Sequence, residues 1–295
     1  MPAEPRERPV VVILCGGRGT RLQQQAREVP KPLVEIGGRP IVWHVIGIYA
    51  AQGFKRFVLA GGYRGEQIAR FLAREHWPHG VSVELLETGD DTPTGGRVMR
   101  AAEHLSGERR LCVTYADGLA DIDLQRLLGF HAAHGAAATL TVVRPHLQFG
   151  VAELDGHDRV TGFAEKPRSE HWINGGFFCF ERPFLDSLGA DQVLERDPLE
   201  HLARAGQLRA FRHEGFWRCM DTLKDAIALN DLWSSGEPPW RVWEGRAPGA
   251  DAPAARGVRV AQDRRPARQK GPAQDARVGH GAQDPRAATP PLVVP

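Results

Sequence analysis

Gly16, Gly17, Arg18, Gly19, Thr20 and Arg21, with Lys31 and Pro32 ten residues further on, are the part of this 295-residue chain best equipped for chemistry. Glycines let the backbone turn tightly and bring bare N–H groups to an anion, while Arg21 and Lys31 add positive charge. A phosphorylated ligand suits that set, a nucleoside triphosphate above all. Two other nucleotide motifs are excluded. A Walker A loop ends in Gly-Lys-Ser/Thr, and here Arg21 follows Thr20. A dinucleotide fingerprint needs a third glycine opening a helix and an acidic residue about twenty residues later, and Pro30 and Pro32 interrupt that stretch.

Acidic and amide side chains supply the second set. Asp117 directly follows an apolar run, so its carboxylate is expected at the same sheet edge as the glycine loop, where it could hold Mg²⁺ together with phosphate oxygens. Asp221 stands just ahead of the last helical pattern, and from the residues alone capping and metal ligation are equal readings. Glu165 and Lys166 end one strand pattern, and Asn174, Gly175 and Gly176 begin the next. Carboxylate and amide groups can hold sugar hydroxyls and an ammonium can pair with a phosphate, so this pair of segments reads as a sugar phosphate pocket. Thr94, Gly95, Gly96 and Arg97 open a helix whose exposed N–H groups could meet a base or a phosphate, with simple capping as the competing role. His131 and His134, three apart with no carboxylate to complete a site, read as solvated helix surface rather than a metal pair.

The elements that must position these groups follow from periodicity. An apolar strand over 10–14 carries the glycine loop at its carboxyl end. Helix patterns over 40–52, 65–74, 96–104 and 123–134 alternate with strand patterns over 56–60, 81–86, 111–114 and 138–143. Such alternation predicts an α/β fold: a mostly parallel central sheet flanked by helices on both faces. Beyond Phe149 the strands shorten, over 151–154, 160–165 and 175–180, with helices over 183–188, 198–205 and 222–233, which predicts a smaller second lobe.

Residues 9–244 are therefore expected to fold as one functional domain after a short extension over 1–8. Residues 245–295 lack aromatics, are dense in Ala, Pro, Gly, Arg, Gln and Asp, and are expected to be disordered. That tail carries nine basic residues against four Asp, so it holds +5 of a whole-chain charge of +2 and leaves the remainder at −3. The folded part thus gives no reason to expect nucleic acid as a partner. Four widely spaced cysteines without a Cys-x-x-Cys pair argue for buried thiols and against a zinc site. Without an apolar stretch of membrane-spanning length or a leader-like pattern over residues 1–15, neither a membrane nor export is expected, and the cytoplasm is.

Taken together, 14–22, 30–43, 94–97, 115–121, 165–167, 173–178 and 215–222 resemble the nucleotidyltransferases that make nucleotide sugars from a sugar 1-phosphate and a nucleoside triphosphate. The likeness is strongest to the cytidylyltransferase branch and covers residues 9–244. It implies a Rossmann-like nucleotidyltransferase fold with a sugar-binding lobe, a homo-oligomer, Mg²⁺, and transfer from CTP to α-D-glucose 1-phosphate that gives CDP-glucose and pyrophosphate. Uridylyl, thymidylyl or guanylyl transfer to another sugar 1-phosphate is the alternative. By this resemblance Leu14, Gly16, Gly17 and Gly19 hold the nucleotide, Thr20 and Arg21 its triphosphate, and Lys31 the reacting phosphates. Gly95 lies near the base with Arg97 beside it, Asp117 and Asp221 ligate the metal, and Glu165, Lys166, Asn174 and Gly175 grip the sugar phosphate. The chain departs from that pattern at Cys15, at Arg218-Cys219, and in a shorter stretch between Phe71 and Thr88.

Overall fold

The computed structural model describes residues 7–17 and 29–243 in full and the backbone of 260–262. In chain order its elements are β1 (Val10–Leu14), a single 3-10 turn (Lys31–Leu33), β2 (Glu35–Ile36), β3 (Arg39–Pro40), α1 (Ile41–Ala50), β4 (Arg56–Gly61), α2 (Gly65–Arg74) and β5 (Ser82–Glu87). There follow α3 (Thr94–His104), β6 (Arg110–Tyr115), β7 (Gly118–Ala120), α4 (Leu124–His134), β8 (Ala138–Val143), β9 (Val151–Leu154), β10 (Val160–Ala164) and β11 (Ile173–Glu181). The described chain closes with α5 (Arg182–Asp186), α6 (Asp197–Arg204), β12 (Leu208–Arg212), β13 (Trp217–Cys219), α7 (Leu223–Ser234) and β14 (Val260–Gln262).

β1 shows why the sheet is central. Its five residues are all buried, and their side chains alternate between two cores. Val11 and Ile13 join Trp43, Ile46, Ile68, Leu127 and Leu229 on one face, while Val10, Val12 and Leu14 join Val98, Leu185 and Leu202 on the other. An unbroken β-branched run suits a strand covered on both sides. Each such side chain is worth about 1.5–3 kcal/mol of burial, so Ile13→Ala should cost about 2–5 kcal/mol once its cavity is counted.

The sheet runs β12-β8-β11-β6-β1-β4-β5-β14. Only β11 is antiparallel to its neighbours, and every other pairing in this sheet is parallel. The chain travels outward from β1 to β4 and β5, then crosses back to set β6 on the other side of β1. That reversal opens a crevice at the carboxyl ends of β1 and β6, the place where open α/β sheets bind ligands.

Three expectations change. β8, β11 and β12 belong to the main sheet, so the smaller lobe narrows to the β9–β10 ribbon. His131 is not solvated: its ring is 1% exposed, with Nδ1 2.7 Å from the Thr139 hydroxyl and Nε2 3.1 Å from the Glu181 carboxylate. Inside the tail, 260–262 pairs in parallel with Leu85, Leu86 and Glu87 as an edge strand, held by backbone bonds that need no apolar pattern. Among the described residues no helix is long and apolar enough to cross a membrane.

Candidate active site

The crevice at the β1–β6 switch is a cleft of about 640 Å³. Leu14, Cys15, Gly16 and Gly17 line it from the end of β1, Asp90 to Thr94 and Arg97 from the loop into α3, and Tyr115, Ala116 and Asp117 from the end of β6. Lys31, Pro32, Cys219 and Asp221 complete it. Of the nucleotide residues expected from sequence, Leu14, Gly16, Gly17, Lys31 and Arg97 are gathered here. Gly19, Thr20 and Arg21 lie outside the described residues.

Lys31 begins the 3-10 turn between Pro30 and Pro32, whose fixed φ angles favour such a turn. Its Nζ donates to Asp117 Oδ2 and, at 2.6 Å, to Asp221 Oδ1. The two acids are brought together by a three-residue antiparallel ladder: β13 pairs with β7, with Cys219 opposite Gly118, and the Met220 N–H then donates to the Asp117 carbonyl at 2.9 Å. Capping does not compete for Asp221. Thr222 caps α7 in a capping box with Asp225, which leaves the Asp221 carboxylate in the cleft.

Electrostatics in this cluster are tightly coupled. Burial draws the Lys31 pKa down, but Asp117 and then Asp221 outweigh it and the net shift is upward, so the ammonium stays charged. Asp117, Cys219 and Asp221 present ligand atoms within 4.8 Å of one another, a group able to hold a divalent metal. Two carboxylates suit a hard cation such as Mg²⁺. Burial, reinforced by Asp117, pushes the Cys219 thiol pKa up and keeps it protonated, so it is a poor third ligand for such an ion.

Arg97 also has a task that its place in the sequence does not suggest. It is 4% exposed, and its guanidinium donates to the carbonyls of Gly61 (2.6 Å), Gly16 (3.0 Å) and Asp90 (3.1 Å) and to Thr88 Oγ1 (2.6 Å). It pins the ends of β1, β4 and β5 around one positive charge facing the cleft. Gly95 does not line the cleft: it is buried, facing the carbonyl of Gln192.

The expected sugar side is only partly connected to this cleft. Asn174 reaches its wall, with Nδ2 donating to the Tyr115 hydroxyl at 3.1 Å. Gly176, at φ +81°, sits in a register shift of β11 and lies against the Tyr115 ring, where a Cβ would come within 2.6 Å of Cδ2. The Gly175 carbonyl accepts from Trp217 Nε1 at 2.8 Å. Glu165 and Lys166 stand outside the cleft lining and pair with each other at 3.1 Å, with Lys166 held at φ +46°. A lysine in the left-handed region is strained by about 1 kcal/mol or more, a cost that recurs at functional positions. Sequence reasoning missed Tyr115 and Thr92 as lining residues, although the end of β6 was a signal for Tyr115; Cys219, marked there as a departure from the family pattern, lines the cleft.

A family model described as nucleotidyl transferase matches residues 10–222. Glucose-1-phosphate cytidylyltransferase of Salmonella typhi is 39% identical over 259 residues, a match spanning 79% of this chain and 99% of that protein. Mannose-1-phosphate guanyltransferase of Gibberella zeae is 31% identical over 232 residues, spanning 76% of this chain and 64% of that protein. Among solved structures, HddC from Yersinia pseudotuberculosis superposes with a TM-score of 0.62 at 22% identity, over 77% of this chain and 100% of its own, a likeness of fold.

Proposed function

We propose, from the premise that this chain belongs to the nucleotidyl transferase family, that it transfers a cytidylyl group from CTP to α-D-glucose 1-phosphate and releases CDP-glucose and pyrophosphate. The observation that carries this reading is the Lys31 ammonium shared by two carboxylates at the β1–β6 crevice. A phosphate oxygen of the sugar 1-phosphate attacks the α-phosphorus; a new P–O bond forms as the bond to the β-phosphate oxygen breaks. The nucleophile is already an anion, so no protein nucleophile or base is required, and the residues align the reactants and offset charge.

Lys31 and the buried Arg97 supply positive charge on the phosphate side of the cleft, and the backbone of Gly16 and Gly17, which lines the cleft, would offer N–H groups to phosphate oxygens. Asp117 and Asp221 are the residues that would hold Mg²⁺. Bound there, the ion would neutralise charge on the phosphates and polarise the phosphorus under attack. Gly19, Thr20 and Arg21 are proposed for the triphosphate, and Glu165, Lys166, Asn174 and Gly175 for the sugar phosphate.

The 31% identity to a guanyltransferase keeps a second base and sugar in view. Incubating the purified protein with each of CTP, UTP, dTTP, GTP and ATP against glucose 1-phosphate and mannose 1-phosphate, and measuring pyrophosphate, tests both readings. Turnover with CTP and glucose 1-phosphate at the highest kcat/KM is the expected result. A glycosyltransferase acting on a finished nucleotide sugar would need an Asp-x-Asp metal motif, a spelling that Asp121-Ile122-Asp123 has, but Asp123 Oδ1 caps α4 at 2.9 Å and Asp121 pairs with His213 at 3.1 Å. A homo-oligomer is proposed because the ribbon exposes Phe163, Val160 and Leu154, a concentration of apolar surface typical of interfaces. The cytoplasm, where nucleoside triphosphates are made, is the proposed compartment.

A further inference from the structure

Glu195 lies outside every sequence motif noted above. It sits in the turn between α5 and α6, beside Leu194, which is 0% exposed. Both of its carboxylate oxygens are taken by hydroxyls of two residues that line the cleft from separate elements. Thr94 Oγ1, at the start of α3, donates to Oε2 at 2.6 Å, and the Tyr115 hydroxyl, at the end of β6, donates to Oε1. Each hydroxyl also accepts one bond: Thr94 from the Leu194 N–H at 2.9 Å, and Tyr115 from Asn174 Nδ2 at 3.1 Å. The direction of every bond is therefore fixed, because a carboxylate can only accept. Among the described residues no cation pairs with Glu195, so its two bonds are its working contacts rather than a supplement to a salt bridge.

The glycines after Thr94 fit the same device. A Cβ on Gly96 would stand 2.0 Å from the Ala190 carbonyl oxygen, and one on Gly95 would stand 2.6 Å from that of Gln192. Both obstacles are backbone atoms, which cannot swing aside as a side chain can. The Gly96 N–H in turn donates to the Gln192 carbonyl at 3.2 Å. Gly95-Gly96 is thus a seat that lets the 189–195 loop lie against α3 and bring Glu195 to the Thr94 and Tyr115 hydroxyls.

We propose that Glu195 is a positioning residue that sets the spacing between the Thr94 wall and the Tyr115–Asn174 wall, and so the alignment of nucleotide with sugar phosphate. It touches neither reactant. A carboxylate is needed because two hydroxyl donors must be met at once; an amide offers one oxygen and turns an N–H₂ group toward the other hydroxyl. The proposal rests on the nucleotidyl-transfer reading, since the two walls matter together only if two substrates must meet between them.

Steady-state kinetics of the full-length chain with E195Q, T94V, Y115F and the E195Q/T94V double variant tests this, with thermal unfolding recorded for each. E195Q keeps the fold and raises KM for both substrates by about fivefold or more, with kcat changed less than KM, because misplacement weakens both sites. T94V raises chiefly the nucleotide KM and Y115F chiefly the sugar phosphate KM. Adding T94V to E195Q changes little further, as expected for partners in one network. A folded E195Q with both KM values at wild type overturns the proposal, as does a double variant whose effects multiply independently. Should E195Q fail to fold, T94V and Y115F decide it: unchanged KM values in both reject the tie. Wild-type protein releasing no pyrophosphate with any pair of substrates sinks the nucleotidyl-transfer reading itself, whereas turnover by wild type beside unchanged variants sinks the tie alone.

Discussion

The cleft at the β1–β6 switch and the β9–β10 ribbon contribute charged residues to the same proposed reaction, yet they are built differently. In the cleft, Lys31 is 16% exposed at its side chain and bonded to two acids, and Arg97 is held by four oxygens. On the ribbon side, Lys166 is 50% exposed and pairs only with its neighbour Glu165 among the described residues, at 62% exposure. Charges fixed before substrate arrives stabilise the transition state without reorganisation. Charges on an exposed ribbon act mainly when a ligand orders them, so the first region should govern kcat and the second KM.

The largest effect should come from the cleft. Lys31→Ala or Asp117→Ala is expected to lower kcat about a hundredfold or more with the fold intact, measured as pyrophosphate release. Near-normal turnover by either folded variant would remove the cleft's claim to the chemistry. Removing divalent metal with EDTA should silence the wild type and Mg²⁺ should restore it; activity that persists through chelation would reject the metal role of Asp117 and Asp221.

Lys166→Ala should act on the other side of the comparison, raising KM for the sugar phosphate about tenfold while kcat and melting temperature barely move. A collapse of kcat instead would mean that the ribbon belongs to the preorganised machinery after all.

Acid separates scaffold from site. His44, 0% exposed, donates from Nε2 to the Ile36 carbonyl at 2.8 Å, and burial lowers its pKa to about 4. The unfolded histidine takes up its proton near 6.5, so between those values the unfolded chain binds more protons. Stability is complete above about pH 6.5 and is lost as pH falls toward 4, by on the order of 3 kcal/mol for such a group. Urea unfolding across that range should show this slope, and His44→Gln should reduce it, leaving the share of His131, whose pKa burial also lowers to about 4. An unchanged slope in the variant would place the acid sensitivity elsewhere.

The smallest effect should follow Phe163→Ser on the ribbon. Stability of the protomer should change by no more than about 0.5 kcal/mol, as for exposed positions generally, while light scattering should report a smaller assembly. An unaltered mass would leave the exposed apolar surface without an oligomeric role.

Much of the fold was legible because its signals are local. α2 and β8 fall on the residues that periodicity marks, since an amphipathic helix and a buried β-branched run each repeat within a few residues. β7 and β13 were not legible: three residues carry no period, and their pairing is written in neither segment. The second lobe was overdrawn for a related reason, because short strands look alike whether they extend a sheet or found a new one. His131 reads as surface on a helical wheel, yet the turn of α4 over β8 buries it beside Thr139 and Glu181.

The amino-acid sequence alone determined the chemical inventory: a glycine turn after a buried strand, a lysine between prolines, and two aspartates at element ends. Residue type and short-range spacing fix those, since they depend on neighbours in the chain. The tertiary structure alone decided which of them meet. Asp117 and Asp221 share Lys31 because the β7–β13 ladder closes, Arg97 ties three strand ends together at the cleft, and Glu195 reaches two cleft-lining hydroxyls because two glycines make room for its loop. Such meetings depend on how strands are ordered and which backbone surfaces can approach each other, and those are properties of the folded chain as a whole.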